Sequence, residues 1–140
     1  MDVDVDVDAE LIVRRFWRCV FDEGDLSVVE GMVTPEFAWR GSLGTQTFGA
    51  RDFLAYVRAA QRAMPDLAVG LDELSMPGEQ VWTRMTFTAT HRGTLLGVPA
   101  SGRALSYQGL AVHDLRDDVL SRVWVVADTL DLHRQLVGEV

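Results

Sequence analysis

The sequence predicts a single α+β domain: a curved, mostly antiparallel sheet wrapped by three to four helices into a cone-shaped barrel. Three observations carry this. Apolar residues recur every three or four positions up to about residue 64 and alternate, or run in apolar stretches, after it. Helices grouped ahead of strands make an α+β rather than an α/β arrangement. Residues 90–102, Thr-His-Arg-Gly-Thr-Leu-Leu-Gly-Val-Pro-Ala-Ser-Gly, place three glycines and a proline between two long apolar-rich segments, which is the composition of a turn chain joining two strands. A strongly curved sheet under helices leaves a cavity, and a small molecule would sit there.

Residues 2–8 alternate Asp and Val. Four like charges on one face oppose strand pairing, so 1–8 read as a frayed acidic arm, docking on an edge or on a neighbouring subunit. A calcium loop would need a turning glycine and mixed oxygen ligands. The domain proper is 9–140. Residues 9–22 form a helix, with Ile12, Phe16 and Val20 four apart and Val13 and Trp17 beside them; Glu23-Gly24 stops it. Residues 26–33 form a short helix with Asp25 as N-cap. Pro35 breaks the pattern, and 36–40 make a short strand. Residues 41–49, with three glycines, are a loop. Residues 50–64 form a third helix with Phe53, Leu54, Val57 and Ala60 on one side, ended by Pro65. Strands follow over 67–74, 80–91, 103–115 and 120–127, rich in Val, Thr, Trp, Tyr and Phe, with Arg116-Asp117-Asp118 as the last turn. A helix over 129–136 closes the chain.

Composition narrows function. One domain's length, 140 residues, is 48% hydrophobic, enough for a real core. The net charge of −8, from 21 acids against 13 bases, argues against nucleic-acid and anionic-membrane partners. The single cysteine, Cys19, falls in a helical apolar pattern and reads as a small buried hydrophobe. No apolar run spans a membrane, and the acidic N-terminus lacks a secretory leader, so a cytoplasmic location is expected. Three scattered histidines and one cysteine make no zinc set. The glycines of 93–102 lie between strands and not at a helix start, against a dinucleotide or P-loop site, and no Gly-x-Ser-x-Gly elbow occurs. No cofactor or metal is expected.

Several motifs together resemble one family. They are Trp39-Arg40-Gly41 with Gly49 and Phe53; Ala63-Met64-Pro65-Asp66; Thr90-His91-Arg92-Gly93 with Gly97, Pro99 and Gly102; and Trp124 with Asp128 and Gln135-Leu136. In combination they are similar to the SnoaL-like polyketide cyclase and ester cyclase family of the nuclear transport factor 2-like superfamily. The resemblance covers nearly all the chain after residue 9. It implies the cone-shaped fold, a homodimer or larger assembly, and intramolecular aldol cyclisation of a polyketide ester. The acid–base aspartate of that family aligns with Val125, its histidine with Ala111, its glutamine with Gly109 and its asparagine with Trp39. The scaffold is therefore kept while the usual machinery is replaced, and a valine cannot shuttle a proton.

The candidate catalytic residues are His91 and Asp128. His91 is either a general base or hydrogen-bonding partner of substrate, or the tie of its own turn. Asp128 matches an acid of the family motif, but directly precedes the last helix, where it can cap N–H groups, with Asp131 three residues on. His113, near a hairpin tip, reads as exposed. The candidate substrate-binding residues are Trp39, Arg40, Arg84, Tyr107, Trp124 and Val125. Arg84, if inward, needs an acid such as Asp66 or Asp72, or an anionic ligand. Trp17 and Trp82 read as core filling. The expected function is a cofactor-independent cyclase or isomerase acting on a hydrophobic, polyketide-like or prenylated molecule in specialised metabolism. His91 would handle the proton, supported by Asp128, Tyr107 and Arg40. One alternative is a non-catalytic small-molecule-binding or accessory protein. Another is an epoxide hydrolase; limonene-type hydrolases of this fold use an arginine and an aspartate two residues later on one strand, and here Thr86 follows Arg84.

Overall fold

The structure, a computed structural model, describes residues 3–22 and 25–139. Helices α1 (Val3–Asp22), α2 (Leu26–Glu30) and α3 (Ala50–Ala63) precede most of the sheet, and α4 (Thr129–Leu136) closes it. The strands are β1 (Val33–Arg40), β2 (Gln46–Phe48), β3 (Ala68–Ser75), β4 (Val81–Thr90), β5 (Ala104–Arg116) and β6 (Val119–Ala127). They form one open sheet in the order β2-β1-β6-β5-β4-β3. Every neighbouring pair is antiparallel except β1 with β6.

Alternation decides the two faces. Along β4 and β5 every second residue is buried, and Phe87, Leu105, Tyr107, Ala111 and His113 look inward. Register shifts at Leu71/Glu73, Asp114/Leu115 and Val33/Ala38 are bulges, which bend the sheet over the helices. Pro35 falls in the last of these, where its missing N–H costs no ladder bond. The β5–β6 turn puts Asp117 (φ 51°) and Asp118 (φ 66°) in the left-handed region, which aspartate tolerates in a tight hairpin. The core centres on the rings of Phe16, Phe37 and Phe53, with Val13, Val20 and Val57 around them.

Four local expectations change. Helix α1 begins at Val3 and not at residue 9, so it runs through residues 3–8. Helix α2 stops at Glu30 and β1 starts at Val33. The 41–49 loop contains β2, paired Ala38↔Phe48, Trp39↔Thr47 and Arg40↔Gln46. Trp82 is 41% exposed on the outer face, whereas Trp17 is in the core as expected. The other boundaries agree to within a residue or two, and the Asp25 cap is present, its Oδ1 accepting from Ser27 N–H at 2.8 Å.

Candidate functional site

Helix α3, the β1–β2 hairpin and the inner sheet face enclose a cavity of about 670 Å³, the size of a small-molecule site. Its shape follows from the helix. Asp52, Ala55, Tyr56, Ala59, Ala60 and Ala63 line it at helical spacing, and four alanines on one face leave the space open. Phe53 and Val57 fix α3 to the core. From the sheet come Phe87 and Tyr107, cross-strand partners stacked at 4.9 Å with 19° between planes, and Val125. Trp39, Thr47 and Phe48 form the hairpin wall; Thr94 and Leu95 close the side beneath the glycine loop.

The polar groups of this cavity are few and mostly uncharged. Asp52, exposed in the first turn of α3, is the one charged side chain among the described residues that line it, and no histidine does. Burial raises the pKa of the Tyr56 phenol. It raises that of Tyr107 further, with a smaller contribution from Tyr56. Both phenols are therefore protonated, neutral donors. Trp39 Nε1 and Thr47 Oγ1 are buried without a hydrogen-bond partner. Thr83 Oγ1, away from the cavity lining, is also buried and unpartnered; nothing in the structure accounts for it.

Of the expected site residues, the structure brings Trp39, Tyr107 and Val125 to the cavity. The remaining five lie elsewhere. His91 is fully buried in the glycine loop: Ser101 N–H and Oγ lie 3.2 and 2.8 Å from its Nδ1, and its Nε2–H faces Val98 O at 3.2 Å. An N–H can only donate, so Nδ1 accepts and both ring nitrogens are used within the loop. His91 N–H also donates to Arg103 O, and Gly102 N–H to His91 O. The expected proton-handling role thus gives way to tying down a turn. The same loop approaches α3, where Ala63 O accepts from the N–H groups of Arg92 and Gly93, and a Cβ on Gly93 would meet Arg62 O at 2.9 Å.

Asp128 is exposed and caps α4, accepting from Asp131 N–H at 3.0 Å. Arg84 faces outward between Asp72 and Glu73, at 3.9 and 3.4 Å. Asp66 instead accepts from Thr90 N–H and Oγ, both at 2.7 Å, and these bonds hold its carboxyl below the usual range. The Arg40 guanidinium lies 4.8 Å over the Trp124 ring, beside a separate hollow of about 210 Å³. Strand alternation explains both pairs: Trp39, Val123 and Val125 are inside, so Arg40 and Trp124 are not.

The positions aligned with the family's catalytic groups are filled by small or apolar residues. Ala111 and Val125 oppose each other on the inner face. A Cβ on Gly109 would meet Val126 O at 2.9 Å and the Phe87 ring at 3.0 Å, so no glutamine fits there without movement. His113 is not exposed but fully buried. It accepts from Trp17 Nε1–H at 2.8 Å and donates from Nδ1 to Val81 O at 2.9 Å. Burial lowers its pKa to about 4, outweighing the opposing effects of Val81 O and Asp114. Gln135 clamps β5 through both its amide atoms, at 2.9 and 2.7 Å from Ser106 N and O. Asp52, Thr47, Tyr56 and the alanine face went unread in the sequence. Their signal was the helical spacing of residues 52, 55, 56, 59, 60 and 63, beside the apolar stripe of Phe53 and Val57.

Comparison with known proteins agrees with this architecture. The family model described as SnoaL-like polyketide cyclase matches residues 11–136. TsrD from Streptomyces laurentii is 28% identical with a TM-score of 0.81, over 100% of this chain and 99% of that one. IdmH from Streptomyces antibioticus is 22% identical (TM-score 0.77, 92% and 98% covered). A SnoaL-like polyketide cyclase from Agrobacterium tumefaciens is 19% identical (TM-score 0.78, 91% and 97% covered). No curated protein matches. No described helix is long and apolar enough to cross a membrane, and no cluster of three or more His, Cys, Asp or Glu is placed to hold a metal among the described residues.

Proposed function

The chain belongs to the SnoaL-like polyketide cyclase family, and from that premise we propose that it is a cytoplasmic cyclase or isomerase of specialised metabolism acting on an uncharged, hydrophobic small molecule. The observation that carries this reading is the cavity: about 670 Å³, walled by stacked aromatics and alanines, with a single carboxylate, Asp52, at its mouth. Such a site holds a flexible substrate in a folded shape and lowers the barrier to ring closure by orientation. Asp52 is the lining group able to accept a proton; Trp39, Tyr56 and Tyr107 supply neutral donors. Cyclisation of a substrate that already carries its own reactive group suits a site this short of acids and bases.

N-phenyl-1-naphthylamine, a neutral fluorescent probe, tests the cavity. Wild type is expected to bind it, and Ala60→Trp, which fills the space, to weaken binding at least about tenfold while remaining folded. Equal binding by both proteins would end the cavity reading. A second reading, a non-catalytic binding protein, draws on Ala111 and Val125 standing where the family's acid–base pair aligns. An Asp52→Asn variant that still converts an extract metabolite to an isomer of equal mass at the wild-type rate would remove Asp52 from the mechanism. A wild type that converts none would favour the binder.

The outer sheet face supports the proposed homodimer. Trp82, Val112 and Trp124 are cross-strand neighbours there, adjoined by exposed Leu110 and Val126. A patch of this kind asks for a partner surface. Sedimentation is expected to give a dimer for wild type and a monomer for Trp124→Glu; a monomeric wild type at micromolar concentration would refute it.

A further inference from the structure

Two buried polar atoms without partners belong to residues directly opposite each other on the cavity wall. Trp39 and Thr47 pair across β1 and β2. Trp39 is 4% exposed, yet its Nε1–H has no acceptor, and Thr47 Oγ1 is likewise unpartnered. Indole nitrogen only donates. Leaving such a donor buried and unpaired is unfavourable, so natural proteins keep few of them, and one on a cavity wall is placed for a partner from outside the chain.

A third group comes from α3. The Tyr56 hydroxyl occupies the space that a Cβ on Gly41 would need, and Trp39 Nε1 lies 3.1 Å from the same point. Gly41 thus lets the phenol stand beside the indole. Burial keeps that phenol protonated. Both side chains line the cavity, as does Thr47.

The charge of the lining selects the ligand atom. No Lys, Arg or His lines the cavity among the described residues, and Asp52 is negative. A carboxylate or phosphate placed there would be desolvated with no countercharge. An uncharged carbonyl oxygen has two lone pairs and matches two neutral donors. We propose that Trp39 Nε1–H and Tyr56 O–H, with the Thr47 hydroxyl beside them, form a subsite for the carbonyl oxygen of an uncharged ligand. The subsite rests on the cavity reading above and narrows it to ketones, esters or amides. Donors held on that oxygen also stabilise charge developing there, so the same pair would polarise the carbonyl for ring closure.

Three near-isosteric probes test it: 2-acetylnaphthalene, 2-isopropenylnaphthalene and 2-naphthoate. Each is titrated into wild type, Trp39→Phe and Tyr56→Phe. In wild type the ketone is expected to bind about tenfold more tightly than the alkene, and the carboxylate more weakly than either. Each variant should lose about five- to tenfold for the ketone and leave the alkene unchanged. The carbonyl stretch of bound ketone should sit at lower frequency in wild type than in either variant. Equal binding of ketone and alkene in wild type would overturn the subsite and keep the cavity. So would variants that weaken both probes alike, because the rings would then act only as wall. Tightest binding by naphthoate would overturn the preference for an uncharged acceptor. Failure of all three to bind wild type would overturn the cavity reading along with the subsite. Two independent variants, each checked for an unchanged thermal midpoint, keep the outcome readable if one folds poorly.

Discussion

Two indoles that pack against each other on the cavity wall, Trp17 and Trp39 with ring centroids 5.8 Å apart, are used to opposite effect. Tyr107 and His113 project from the same face of β5, six residues apart. Both ring nitrogens of His113 are used: the Trp17 indole donates to one, and the other donates to Val81 O. The Trp39 indole and Thr47 hydroxyl have no partner, and both residues line the cavity. An indole among apolar side chains is therefore architectural at position 17 and available at position 39. What separates the two cases is whether a partner is supplied from within the chain. Buried polar groups that are paired specify a packing; buried groups left unpaired, on a cavity wall, are placed for a ligand.

Acid gives the largest expected contrast, because it acts on His113, the partner of the paired indole. His113 has its pKa lowered to about 4 by burial, against an ordinary value of 6.5. Above pH 6.5 the ring is neutral in both folded and unfolded chains, and stability does not depend on it. Between about 6.5 and 4 the unfolded chain binds a proton that the folded chain refuses, so stability falls as the pH falls, and the loss levels off below about 4. The full loss is roughly 3 kcal/mol. Urea unfolding at pH 7.5, 6 and 5 should show most of this slope in wild type and much less in His113→Leu. Identical slopes in the two proteins would mean that His113 is not held neutral.

The contrast also explains what could be read in advance. Periodicity located all four helices and five of the six strands, because burying one face forces a period of 3.6 or 2 on the apolar residues. Strand β2 escaped because three residues, Gln46 to Phe48, are too few to show alternation. The glycine loop was legible for a related reason. Gly93 must let the loop approach α3, and Gly97 and Gly102 take φ of 77° and 73°, so those residues are dictated by the backbone. His91 stood out by its chemistry, but its role was fixed by Ser101 and Val98, ten and seven residues away, and no pattern announces such partners. His113 was misplaced because nearness to a hairpin tip says nothing about α1 lying over it; Trp17 is 96 residues distant. A cavity was expected from the curved sheet, but its helical wall was illegible for the opposite reason. It is made by what α3 lacks, and four alanines on a helix face read as indifferent until the opposite wall is seen.

The same substitution at the two indoles is the sharpest test of this distinction, and the smallest expected effect is the informative one. Trp17→Phe and Trp39→Phe each remove an indole N–H and shrink a buried ring by the same amount, so the packing loss largely cancels in the comparison. At position 17 the change also strands His113 Nε2 without its donor, at an added cost of about 1–3 kcal/mol. At position 39 it removes a donor that has no partner, which relieves a desolvation penalty and offsets part of the lost packing. Trp17→Phe should therefore lower the unfolding free energy by about 2 kcal/mol more than Trp39→Phe. Trp39→Phe itself should stay within about 1 kcal/mol of wild type. Chemical denaturation of both variants at pH 7.5 in ligand-free buffer measures the difference. Equal losses would mean that the Trp39 indole finds a partner in the free protein, and the two indoles would then be used alike.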